Sequence, residues 1–358
     1  MGLQGAQRIA SYGTVRVGSY AFSHYGFSIA LPFLHESDES FVPNPLSTPS
    51  SWDLLAQIRP KEILLMTWGR NVFDMFAIGP DKVVDNLAEY LDIYATKGYR
   101  LILPTGEDGF MCKELEYDLD TVISNGISNK RIIDVLAGDN HLSRNFLTDP
   151  TLDHLTIFRE DDLSKPNFER RAIELLDYIR SKGGKACYHN PRWGDWWSIE
   201  SGSRDRISVF NTHEDYFVMN FYRVWNTVDK ALTEGRPEAI YNDTYNSYMF
   251  ALDFLKSKAG SIPLSNIGAE EDGEFHGKLS GYHDVTPEQA AEAERAMLDA
   301  FKDSGCGVIF KWTFFDQNIS AFGLCATNLS GINDPEWKLA PGEFYPSAEV
   351  WRQAFASK

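Results

Sequence analysis

Five stretches of this chain carry residue types that move protons, attack electrophiles or stack on flat rings. They are Ala137-Gly138-Asp139-Asn140-His141, Tyr188-His189-Asn190-Pro191-Arg192-Trp193, Tyr241-Asn242-Asp243, Gly268-Ala269-Glu270-Glu271-Asp272 and Lys311-Trp312-Thr313-Phe314-Phe315-Asp316. Each closes an apolar or β-branched run of the kind that forms a strand. Two carboxyl groups facing one pocket can divide the work, one as a protonated acid and the other as an ionised base or nucleophile. Asp139 and Glu270 are the selected pair, with Glu271 as a second choice of nucleophile and Asp195 and Asp243 as reserve acids. Such a pair suits the breaking of a glycosidic bond: at ~5 Å apart the second carboxylate attacks directly, and at ~6.5 to 9.5 Å a water fits between them.

Around the pair, Trp68, Asn140, His141, His189, Asn190, Arg192, Trp193, Tyr241, Asp243, Glu271 and Trp312 are the expected substrate contacts. Trp193, Trp196 and Trp197 cluster beside Gly194, Asp195 and Ser198, a loop composition in which large aromatics suit stacking on sugar rings. Each residue also has a plainer role open to it. Acids at element ends cap helices, Gly-Asp-Asn is an ordinary turn sequence, and bulky residues such as Trp68 and Trp312 fill barrel interiors. His141 or His189 with the same acids would hold a divalent metal in a sugar isomerase or epimerase, an alternative that a chelator separates from the first. A barrel that binds glycans without cleaving them is the third reading. On the leading reading no metal and no cofactor is expected.

Composition narrows the partners. A formal net charge of -17 repels a phosphate backbone, and no dense Lys/Arg cluster offsets it, so nucleic acid is not an expected partner. Cys112, Cys187, Cys306 and Cys325 are scattered, with neither a zinc-ligand spacing nor a disulfide framework. No apolar run reaches the ~18 residues of a membrane span, and the first residues lack the pattern of a signal peptide. A soluble protein with a carbohydrate substrate is expected, and the compartment and oligomeric state stay open. The tripeptides at Asn242, Asn318 and Asn328 fit the glycosylation pattern, which is common by chance.

The elements that must position these residues alternate along the chain. Strands are predicted at Val17 to Phe22, Ile63 to Trp68, Leu101 to Thr105, Ile132 to Ala137, Lys185 to His189, Ala239 to Asn242, Pro263 to Gly268 and Val308 to Trp312. Between them, Val83, Val84, Leu87, Tyr90, Leu91 and Tyr94 recur at helical spacing, as do Phe168, Ala172, Leu175, Leu176 and Ile179. Glu214 to Glu234 is read as one helix, because Phe217, Phe221, Val224, Trp225, Val228 and Leu232 keep that spacing. Thr286-Pro287-Glu288-Gln289 is a capping box opening a helix that runs to about Asp303 and stops before Gly305. Loops are expected at His35 to Ser51, Arg192 to Arg206 and Phe315 to Phe344. Strand and helix in strict alternation imply a single-domain α/β (β/α)8 TIM barrel over residues 1–358, with its site at the carboxyl ends of the strands.

With those residues in place, the chain resembles the TIM-barrel clan of retaining glycoside hydrolases that includes cellulases, mannanases and β-xylosidases. In that clan an acid/base Glu follows strand four, a nucleophile Glu follows strand seven, a Tyr comes from strand six, and a Trp on strand eight floors the sugar subsite. The resemblance assigns these roles to Glu270, Tyr241 and Trp312, and the run from Thr286 through Trp312 is similar to the clan's last helix and strand. Strand four departs, with Gly138-Asp139-Asn140 where the clan has a pair ending in Glu. The resemblance implies a retaining hydrolase of polysaccharides or oligosaccharides.

Overall fold

The computed structural model describes residues 20–30, 49–66, 88, 91–106, 129–158, 168–192, 210–221, 224–271, 284–315, 323–326, 339 and 341–356. Eight parallel strands close a barrel in sequence order: β1 (His24–Ala30), β2 (Glu62–Met66), β3 (Arg100–Gly106), β4 (Leu152–Phe158), β5 (Ala186–Arg192), β6 (Tyr216–Phe221), β7 (Ile267–Glu271) and β8 (Val308–Lys311). β8 pairs back onto β1, so the sheet has no edge. The helices are α1 (Pro49–Ile58), a helical stretch at 91–97, α2 (Asn129–Leu136), α3 (Phe168–Ser181), α4 (Val224–Thr233), α5 (Ile240–Lys258), α6 (Pro287–Ser304) and α7 (Pro346–Ala356). The α/β TIM barrel expected from the alternation is the fold observed.

Strand side chains alternate between two apolar layers. Leu64, Ile102, Cys187, Tyr216, Val218, Val308 and Phe310 pack with one another inside the barrel. Their chain neighbours Ile63, Leu101, Ala186, Tyr188, Phe217 and Ile309 join the larger core shared with the helices. Two inward positions are glycines because the neighbouring backbone is too near for a side chain. A Cβ at Gly26 would lie 1.8 Å from the Glu62 carbonyl oxygen, and one at Gly268 would lie 1.8 Å from that of Val308.

Three strands share no residue with their expected spans: the first, which starts beyond Phe22, the fourth and the sixth. Ile132 to Ala137 falls on α2, and the fourth strand is Leu152–Phe158. Its inward Asp153 breaks the apolar alternation by which a strand is recognised, whereas Ile133 and Leu136 are buried at helical spacing. Ala239 to Asn242 spans a 3₁₀ turn and the start of α5, whose buried Ile240, Thr244, Tyr248, Ala251, Leu252 and Leu255 form a helical stripe. The sixth strand is Tyr216–Phe221, the first part of the supposed helix of Glu214 to Glu234; only Val224–Thr233 is helical. Tyr216 to Met219 and Phe221 are buried on both faces of the sheet, so the strand shows no two-residue alternation, and only residues 222 and 223 separate it from α4.

The remaining differences, that of the first strand included, are shifts in position. The first strand begins at His24, after Phe22, and residues 17–19 of its expected span lie outside the described residues. The seventh begins at Ile267, because Leu264–Asn266 forms a 3₁₀ turn. Pro49 to Ser51, expected in a loop, open α1. The capping box at Thr286 forms as read, and Gly305 ends α6 in the left-handed conformation, φ 76°. Among the described residues no helix is long and apolar enough to cross a membrane.

Candidate active site and the opposite end of the barrel

Glu270 is the next-to-last residue of β7 and is fully buried. Ile267 and Ala269 belong to the outer core, so strand alternation turns Gly268 and Glu270 into the barrel. In register Glu270 stands between Asn220 on β6 and Phe310 on β8, and Phe310 is itself an inward residue. Two residues beyond Phe310 comes Trp312, partly exposed and joined to Thr313 by a cis peptide bond. A buried carboxyl group and a partly exposed indole thus come from the carboxyl ends of neighbouring strands, the end where barrel enzymes do chemistry.

Lys311, between Phe310 and Trp312, points outward and is fully buried. Its Nζ lies 2.9 Å from Glu294 Oε1 on α6, and Trp351 Nε1 of α7 donates to Glu294 Oε2. This buried ion pair and indole tie β8 to two helices directly before Trp312.

His189, Asn190 and Arg192 are on the last turns of β5, and the register sets them beside Val218, Met219 and Asn220. Glu271 ends β7 opposite Lys311. The backbone therefore brings these four to the same end as Glu270. Trp68, Trp193, Asp195, Trp196 and Trp197 lie outside the described residues.

Asp139, Asn140 and His141 do not join this site. They lie between α2 and β4, on a loop that enters the barrel at its amino end. Asp139 is exposed, and its N–H donates to the Asp134 carbonyl at 3.0 Å. Asn140 Nδ2 donates to the carbonyls of Val135 and Arg144, both at 2.8 Å, closing the end of α2. His141 is exposed on the same loop. Because the fourth strand follows these residues instead of preceding them, the whole depth of the barrel separates Asp139 from Glu270.

Tyr241 and Asp243 are likewise displaced, to the outer helical layer. Tyr241 Oη donates to Asp299 Oδ2 of α6 at 2.7 Å, and Asp243 Oδ2 accepts from Arg236 at 3.2 Å. Both fix helices.

The amino end of the barrel holds a cluster that the sequence did not expose. His24 Nδ1 lies 2.9 Å from Glu62 Oε1 and 2.7 Å from Asp153 Oδ2. Lys61 Nζ is 3.1 Å from the same Glu62 oxygen, and Arg100 Nη2 is 3.2 Å from Asp153 Oδ1. Tyr216 Oη donates to Asp153 Oδ1 at 3.3 Å, and its ring meets His24 edge-on with centroids 5.0 Å apart. Burial first, and then the neighbouring Asp153, push the Glu62 carboxyl up to about 7 against the opposing pull of His24. Burial alone would lower His24, but its hydrogen bonds to Asp153 and Glu62 outweigh that and raise it. The signal is invisible until β4 is placed, because His24, Glu62, Arg100, Asp153 and Tyr216 each stand first or second in a different strand.

No protein-family model matches this chain, and no curated protein matches it. Solved structures do. A GH5_18 enzyme from Streptomyces cattleya, in complex with GlcNAc, superposes with a TM-score of 0.55 at 13% identity, over 94% of this chain and 80% of its own. A glycoside hydrolase family 17 β-1,3-glucanosyltransferase from Rhizomucor miehei gives 0.52 at 12% identity, over 90% and 99%. A β-glucuronidase from an uncultured Clostridium species gives 0.53 at 13% identity, over 95% of this chain and 51% of its own. The chain thus spans about half the length of the β-glucuronidases it matches. At such identities a likeness speaks for architecture, and the architecture is common to all three: this chain has the (β/α)8 barrel fold of the glycoside hydrolases in families 5 and 17.

Proposed function

We propose that the protein is a glycoside hydrolase that uses Glu270 as nucleophile in a two-carboxylate, retaining mechanism on a polysaccharide or oligosaccharide. The observation that carries this reading is a fully buried glutamate turned into the barrel at the carboxyl end of β7, one strand away from Trp312. The carboxylate attacks the anomeric carbon and the aglycone leaves with a proton from the partner acid; the same partner, now a base, then activates the water that releases the sugar. Trp312 offers the ring face on which the sugar rests.

By the clan resemblance the partner acid belongs at the carboxyl end of β4, three strands round the barrel from β7. With β4 at Leu152–Phe158, the residues that follow it in sequence are Arg159, Glu160, Asp161 and Asp162, which lie outside the described residues. Of these, Glu160 is the candidate acid in place of Asp139, with the longer glutamate side chain of the clan's acid/base.

The sugar isomerase reading loses His141, which is at the opposite end of the barrel from Glu270. A panel of aryl glycosides and oligosaccharides, assayed with wild type and Glu270→Gln, tests the proposal. Wild type is expected to hydrolyse at least one member, and the variant to lose roughly 10³-fold or more in turnover while still binding it. Wild-type turnover in the variant sinks the role of Glu270, and a wild type inactive across the panel favours a glycan-binding barrel.

A further inference from the structure

The cluster at the amino end of the barrel has no part in the proposed hydrolysis, since it lies at the far end from Glu270. We propose that it is a site for one divalent metal ion of the zinc class, held by His24 Nδ1, the Glu62 carboxylate and Asp153 Oδ2.

One imidazole and two carboxylates form a donor set that suits zinc, and the three donor atoms all lie within 4.8 Å of one another. Bonds of ~2.0 to 2.2 Å set ligand atoms roughly 3.0 to 3.5 Å apart around an ion. The imidazole nitrogen is now 2.7 and 2.9 Å from its two oxygens, so they need to open by only about half an ångström to admit the ion. Asp153 is already aimed from behind. Arg100 and Tyr216 both hold its Oδ1, which leaves Oδ2 facing His24, as outer partners orient ligating carboxylates.

A second observation comes from Glu62. The residue is fully buried, and although Oε1 meets His24 and Lys61, Oε2 makes no hydrogen bond. A buried carboxylate oxygen without a donor is costly, and an ion bound through Oε2 relieves that cost, which Lys61 on Oε1 does not. Access is available, since the His24 side chain keeps 12% of its surface exposed at this end.

Lys61 is the competitor. Its ammonium lies against Glu62 Oε1 and donates to the Ser23 carbonyl, but its side chain is 29% exposed, so it can withdraw into solvent when an ion enters. Arg100 need not move, because it holds the oxygen of Asp153 that faces away from His24.

The test is calorimetric titration of chelator-treated, full-length protein with Zn²⁺, and visible absorption with Co²⁺ as the spectroscopic probe. One ion per chain is expected, with a melting temperature that rises with Zn²⁺ concentration. Tyr216→Phe, which removes an outer partner, should weaken binding ~10-fold, and His24→Gln should weaken it by ~100-fold or more. Lys61→Gln removes the rival cation and should tighten binding, which a merely structural lysine would not do. Glu270→Gln should bind Zn²⁺ as wild type does, so the metal site and the hydrolase reading stand or fall separately. No uptake, or uptake unchanged in both His24→Gln and Lys61→Gln, overturns the proposal: the first result leaves a cluster held by protons and ion pairs alone, the second puts the ion elsewhere on the acidic surface.

Discussion

At the amino end of the barrel the inner acids are matched: Glu62 meets His24 and Lys61, and Asp153 meets His24, Arg100 and Tyr216. At the carboxyl end Glu270 and Glu271 close β7, and Trp312 directly follows the neighbouring β8. The amino-end cluster ties five strands together through side-chain contacts that leave only Glu62 Oε2, among its carboxylate oxygens, without a hydrogen bond. The carboxyl-end acids are concentrated where loops of variable sequence build sites. The contrast teaches that burial of a carboxyl group does not by itself mark catalysis. The end of the barrel it occupies and the charges around it decide what it is for.

The largest expected effect is at the carboxyl end. Glu270→Gln keeps the shape of the side chain, so turnover should fall roughly 10³-fold or more while the melting temperature stays close to wild type. A variant that loses activity only because it unfolds would place Glu270 with the structural acids of the other end.

Lys311→Met should show the opposite pattern, a loss of stability by way of Glu294. Removing the lysine strands a buried carboxylate, at a cost of ~3 to 5 kcal/mol, and the double variant with Glu294→Gln should recover part of it. Denaturant melts of the two variants check this; equal stability of single and double variants would mean that the pair does not couple.

Glu214 sharpens the comparison through pH. It precedes β6, is buried, accepts from the Tyr188 N–H at 2.8 Å and leaves Oε1 without a hydrogen bond. Burial raises its carboxyl well above the usual range, so the folded state holds a proton that the unfolded state releases above its own, ordinary value. Its contribution is therefore fully present at acid pH and is lost as pH rises from the ordinary carboxylate range towards the folded value. Glu214→Gln stays neutral throughout and should flatten the fall in melting temperature as pH rises above the ordinary carboxylate range. An unchanged slope would remove Glu214 from the explanation.

The smallest effect is expected at Asp139, exposed on the loop before β4. Asp139→Asn should change stability by no more than about 0.5 kcal/mol and leave turnover as in wild type. A large loss of turnover would contradict the separation of the two ends.

The alternation of apolar runs and helical stripes, visible in the sequence, points to the (β/α)8 barrel that is observed, although strands one, four and six lie outside their expected spans. The capping box at Thr286, the close of α6 at Gly305 and the strand at Val308 are local signals, set by hydrogen bonds and conformations within a few residues, and they stand where they were read. The position of Glu270 at the carboxyl end of strand seven was also legible, although the strand runs over Ile267–Glu271 and contains Glu270, where the expected span ended at Gly268. β4 and β6 were not legible. β4 carries Asp153 inward and β6 is buried on both faces, so neither shows the alternation of a half-buried strand. Asp139, Asn140, His141, Tyr241 and Asp243 therefore lie on the loop before β4 and on α5, away from the carboxyl ends of the strands. Tertiary structure alone decided that His24, Glu62 and Asp153 meet. They are up to 129 positions apart, and only closure of the barrel brings the starts of β1, β2 and β4 within hydrogen-bonding distance.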